Sequence, residues 1–176
     1  MITSVIGRIF LDAYNERECT NYDAKTFFTE KYFPLFFDSN KYMQWVQNSP
    51  FVQMKSGQKV ETLSCEERHE KLEELINKIQ NGARDASVAI GYSASEEKGY
   101  ATTSGQVTNL EINMSNDEVY LSWIGASLGV GVQGGLCILF SNPALLLNIY
   151  DGWGLYRAAL DNNQKLKGNQ IASWNG

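Results

Sequence analysis

Apolar residues along the first sixteen positions recur at helical spacing. Ile2, Val5, Ile6, Ile9, Phe10, Ala13 and Tyr14 share one face, while Arg8, Asp12, Asn15 and Glu16 occupy the other. The polar run Cys19 to Asp23 ends this helix, and Asp23 is placed to N-cap a second one. Pro34 interrupts the aromatic run that follows, so the helix kinks or restarts there. Asn48-Ser49-Pro50 is a break, and Ser56-Gly57 marks a turn within a loop from Met54 to Glu61. The strongest helix signal runs from Ser64 to Gln80. Ser64 and Glu67 form a capping box, Leu72, Leu75, Ile76 and Ile79 form the apolar stripe, and Asn81-Gly82 supplies a stop.

Beyond a short apolar segment at Val88 to Ile90, the chain turns polar and rich in Ser, Thr and Gly up to Asn109. The period then changes. Leu110, Ile112 and Met114 alternate with polar residues, Ser115-Asn116-Asp117 reads as a turn, and Val119, Leu121 and Trp123 alternate again. Leu128, Val130 and Val132 alternate with Gly129 and Gly131, and Gly134-Gly135 turns the chain into Leu136 to Phe140. This pattern predicts an antiparallel meander. After Asn142-Pro143 a helix resumes, strained by Gly152 and Gly154. The expected fold class is therefore α+β, with N-terminal helices and a C-terminal helix packed on a three- to four-stranded antiparallel β-meander. It is expected as one domain over residues 1–160, followed by a polar tail at 161–176.

The window Leu121 to Phe140 carries no charge and is long enough to span a bilayer. Its Gly/Val alternation, central Gln133 and lack of basic flanks favour strands over a membrane helix. The N-terminus shows no basic region, apolar stretch and cleavage site in series, so no export signal is read there. Three widely spaced cysteines, Cys19, Cys65 and Cys137, form no CxxC pair and point to a reducing, cytoplasmic setting.

Composition narrows the function classes. With 43% hydrophobic residues and 20% charged ones, the chain can build a core and is not a disordered segment. Its formal charge of −5, with no Lys or Arg from Gly99 to Tyr156, argues against independent nucleic-acid binding. A nucleic-acid role within a larger ribonucleoprotein or defence assembly would have to use Lys25, Lys31, Lys41, Lys55 and Lys59.

Candidate chemistry is sparse. The one histidine, His69, shares a helical face with Cys65, but two residues are too few for a metal site, and no third group is visible to orient a base. The pair reads as a helix-face histidine beside a small thiol. Gly129-Val-Gly131-Val-Gln-Gly134 formally matches a dinucleotide fingerprint without the helix that must follow it. Ser95-Glu-Glu-Lys98 matches SxxK without its companion motifs. Asp151 and Arg157 are spaced as a helix-surface pair or a clamp. No metal and no cofactor is assigned.

Two groups of residues remain as candidate sites. Ser93, Ser95, Thr102, Thr103, Ser104 and Gly105 supply hydroxyls and amides that can form a concave anion site without lysine. Phe36, Phe37, Tyr42 and Trp45 belong to an aromatic set on both sides of a helix that cannot all face one core, which points to a core or a subunit interface, and Trp174 lies in a tail that can dock on another chain. The leading expectation is a non-catalytic binding or assembly module, with a protein partner or a homo-oligomeric contact. The alternative is an enzyme or ligand-binding domain using the loop 93–106.

Overall fold

The structure, a computed structural model, describes residues 1–92, 113–133 and 135–176. It overturns the expected meander. The chain is mainly helical, and among the described residues the strands are two short ones in a single antiparallel hairpin. The loop residues Ser93, Ser95, Thr102, Thr103, Ser104 and Gly105 lie outside the described residues, as do Leu110 and Ile112.

Helix α1 (Ile2–Glu18) buries Ile6, Phe10, Leu11 and Tyr14 and ends where Cys19 adopts a left-handed conformation, φ 53°. The amide of Thr20 then closes back on the Asn15 carbonyl at 3.0 Å, satisfying an orphan acceptor. Helices α2 (Ala24–Phe27) and α3 (Phe33–Phe36) are joined by a π-turn, Phe28–Tyr32. The missing N–H of Pro34 is the physical reason for that irregularity, and the helix restarts with proline in its first turn. Asp23 caps α2 through the Thr26 amide.

Helix α4 (Cys65–Gln80) carries the expected capping box, with Ser64 and Glu67 exchanging side-chain-to-amide bonds of 3.2 and 2.8 Å. The first major correction follows it. Val119, Leu121 and Trp123 are not a strand but part of helix α5 (Asn116–Ser127), which buries Val119 through Gly125 on every side. A helix surrounded by protein needs no polar face, so its sequence loses the helical period and mimics a buried strand. Ser115 and Glu118 form a second capping box where a turn was expected. Met114 is buried outside any strand, and its carbonyl accepts from the Arg84 guanidinium at 2.8 Å.

The remaining alternation yields strands of two residues each, β1 (Val130–Gly131) and β2 (Cys137–Ile138), paired Val130 to Ile138 and Gly131 to Cys137. Gly135, at φ 78°, closes the loop between them. Helix α6 (Pro143–Asn162) is capped by Asn142 and runs through Gly152 and Gly154. The polar tail folds back. Its amides at Asn169 and Ile171 donate to the carbonyls of Tyr42 and Met43, and Ile171 is buried at the start of helix α7 (Ile171–Trp174).

The core lies where α1, the α2–α3 helix, α5 and α6 meet, and it is built from aromatic rings. Tyr32 stacks on Phe36 and Phe37 on Phe51, each pair 4.1 Å apart, with Trp123 and Trp153 edge-on to them. The Tyr32 hydroxyl is satisfied inside by Gln44 Oε1 at 2.7 Å and Ser127 Oγ at 2.6 Å. Burial raises its pKa well above the ordinary tyrosine value. Among the described residues, no helix is long and apolar enough to cross a membrane.

Candidate functional site

The five aromatic candidates separate by burial. Phe36 and Phe37 have no exposed surface, and Tyr42 has almost none. Trp45 remains 50% exposed and Trp174 42%. Trp174 stacks on Tyr156 at 5.0 Å, and its indole N–H donates to the Gly152 carbonyl at 3.1 Å. That placement ties α7 to α6 while leaving part of the ring open to solvent.

Beside α7 stands the β1–β2 hairpin. Its register continues past the strands, since the Val132 amide donates to the Leu136 carbonyl at 2.9 Å. Because side chains alternate along a strand, Val130, Val132, Leu136 and Ile138 project from one face, and Gly131 and Cys137 from the other. The Gly131 face is pressed against α7, where a methyl on Gly131 would sit 3.0 Å from the Ala172 backbone. The opposite face is open. Val132 is 39% exposed, Ile138 44% and Leu136 69%. No Lys, Arg, Asp or Glu occurs from Val119 to Tyr150, so the patch carries no charge of its own chain segment. The sequence marked these positions as strand but held no sign that Val132, Leu136 and Ile138 would stay uncovered while Val130, beside Ile138, packs on the core.

Trp45 lines a cleft of about 320 Å³ with Lys41, Tyr42, Met54, Lys59 and Gly168. The Lys41 ammonium donates to the carbonyls of Leu160, Asn163 and Leu166 at 2.8–3.2 Å, closing the end of α6. A second cleft, of about 260 Å³, is walled by Lys55, Gln58, Glu67, Glu70 and Lys71. Lys71 is buried, its ammonium donates to the carbonyls of Pro50 and Gln53, and burial lowers its pKa. Both lysines tie loops to helices through backbone acceptors.

Asp151 and Arg157 do not pair with each other. Asp151 meets Arg17 at 3.0 Å, and Arg157 holds Asp161 at 2.7 Å and the Lys41 carbonyl at 2.7 Å. Cys65 and His69 do come together, with Sγ 3.6 Å from Nδ1, on the exposed face of α4. Nδ1 also lies 2.9 Å from the Cys65 carbonyl, within hydrogen-bond reach. Neither cleft counts Cys65 or His69 among its walls. Protein-family models, curated proteins and solved structures give no match to this chain, so its functional reading rests on its own residues.

Proposed function

We propose that the chain is a non-catalytic assembly module, and that the apolar face of the β1–β2 hairpin docks a second copy of the same chain. The supporting observation is the hairpin face itself: Val132, Leu136 and Ile138 stand on one side of a two-stranded hairpin whose other side packs on α7, exposed and free of charge. A two-stranded sheet covered on one side only gains from a further apolar surface laid against the other.

Charge favours a second copy as the occupant. Each chain carries a formal charge of −5, and two such chains repel wherever acidic surfaces meet. A contact centred on a neutral patch avoids that repulsion, and a twofold contact places the same apolar residues on both sides. The patch is small, so the dimer forms reversibly and its population depends on concentration.

Light scattering on a size-exclusion peak, repeated over a hundredfold range of loading concentration, tests this. The expected result is a mass that rises from one chain to two. Replacing Val132, Leu136 and Ile138 together by Ser is expected to hold the mass at one chain. A monomer at every concentration, or a dimer untouched by the triple substitution, overturns the reading.

A further inference from the structure

Asp38 follows the end of α3, and its amide donates to the Phe33 carbonyl at 3.2 Å. The ring of the same Phe33 supports His69 edge-on, with centroids 5.2 Å apart. Phe33, the first residue of α3, thus holds both the backbone of the turn that carries Asp38 and an imidazole from α4. One donor atom each from Asp38, Cys65 and His69 lies within 4.8 Å of the other two. These are a carboxylate oxygen, a thiol sulfur and a ring nitrogen.

We propose that Asp38, Cys65 and His69 bind one zinc ion, leaving a fourth position open to water or to a donor from a docked molecule. Zn–S near 2.3 Å and Zn–N near 2.0 Å in a tetrahedron set sulfur and nitrogen roughly 3.5 Å apart. The Cys65 sulfur and His69 Nδ1 stand at 3.6 Å, and zinc bound through Nδ1 takes the place of the proton that Nδ1 shares with the Cys65 carbonyl at 2.9 Å. The widest of the three separations must close by roughly an ångström, which a rotation of exposed side chains supplies. Cys65 and His69 are exposed and Asp38 is half-buried, so all three can turn.

The donor set selects the metal. A thiolate with an imidazole and one carboxylate suits zinc and other late first-row ions, while magnesium and calcium take oxygen donors. A cysteine nucleophile fits the same residues less well. The thiol lies on an open helix face, and neither cleft counts it among its walls.

The ion would also change the chain's mechanics. Between Asp38 and Cys65 the only regular element is the short 3₁₀ turn Val60–Thr62. A metal joining the two ends of that segment closes a loop that otherwise costs entropy to hold, so binding adds to stability.

The test uses the full chain, reduced, stripped with a chelator, and titrated with Zn²⁺ or Co²⁺ alone. One ion per chain is expected, with a thiolate-to-cobalt charge-transfer band, tetrahedral cobalt absorption and a zinc-dependent rise in Tm. Cys65→Ser is expected to abolish the charge-transfer band. His69→Gln and Asp38→Asn are each expected to weaken binding by about tenfold or more. The double variant Cys19→Ser/Cys137→Ser is expected to bind as the original does. Spectra are taken well below each variant's melting temperature, so that a small loss of stability does not imitate a lost ligand. Absence of saturable binding, a band that survives Cys65→Ser, or an affinity unchanged in His69→Gln or Asp38→Asn overturns the three-ligand site.

Discussion

Gly7 of α1 and Gly125 of α5 face each other where the two helices cross, so closely that a methyl group on either would run into backbone. At Gly7 it would strike the Leu121 carbonyl, and at Gly125 the Thr3 carbonyl and the Gly7 amide. Both obstacles are main chain, which cannot rotate aside. Gly7→Ala or Gly125→Ala is therefore expected to force the helices apart and cost about 3 kcal/mol, measured by urea unfolding.

Gly154 predicts the opposite sign. It sits within α6, and nothing lies within 4 Å of where its Cβ would be. Gly154→Ala gains helix propensity without a clash and is expected to stabilise the chain by about 0.5–1 kcal/mol in the same assay.

The capping boxes give a pH dependence. Glu118 accepts from the Ser115 amide and Glu67 from the Ser64 amide, and these bonds hold both carboxyls below their ordinary pKa. Asp23 is lowered in the same way by the Thr26 amide. A carboxyl lowered in the folded state stabilises fully above its unfolded pKa, and that contribution fades as pH falls through the folded value. Tm is expected to hold steady above the ordinary carboxylate range and to fall below it. Glu118→Gln, which accepts the bond without titrating, is expected to flatten part of that acid slope.

Tyr32→Phe tests a polar knot in the aromatic core. It removes a hydroxyl bonded to Gln44 and Ser127 while keeping the ring stacked on Phe36. The single hydroxyl proton of Ser127 still has Gln44 Oε1 or the Trp123 carbonyl to donate to, which limits the damage. A loss of about 1–2 kcal/mol is expected from urea unfolding.

How far the sequence could be read depended on where each signal lies relative to solvent. The capping box at Ser64 and Glu67 precedes a helix with a wet face, so box and period agreed. The same S-x-x-E spelling at Ser115 and Glu118 precedes a helix buried all round, where the alternation of Val119, Leu121 and Trp123 reads as a strand and Ser115 to Asp117 as the turn before it. The close backbone approach of Gly125 to Thr3 and Gly7 leaves no mark in the local pattern, because its partner is another helix far off in sequence. Of the site residues, Cys65 and His69 could be paired from helical spacing alone. Asp38 could not, because it reaches them only through the Phe33 end of α3. Trp45 and Trp174 could not be separated from Phe36 and Phe37 by composition, since only packing decides which rings stay outside.

The ammonium of Lys41 has a consequence for how fast the molecule can fold. Its three carbonyl acceptors, on Leu160, Asn163 and Leu166, stand 119, 122 and 125 residues away along the chain. The backbone bonds from Asn169 and Ile171 to Tyr42 and Met43 span a similar distance. The segment after α3 is therefore fastened by contacts of long sequence separation, whose loop-closure cost must be met before they stabilise anything, and such contacts slow folding.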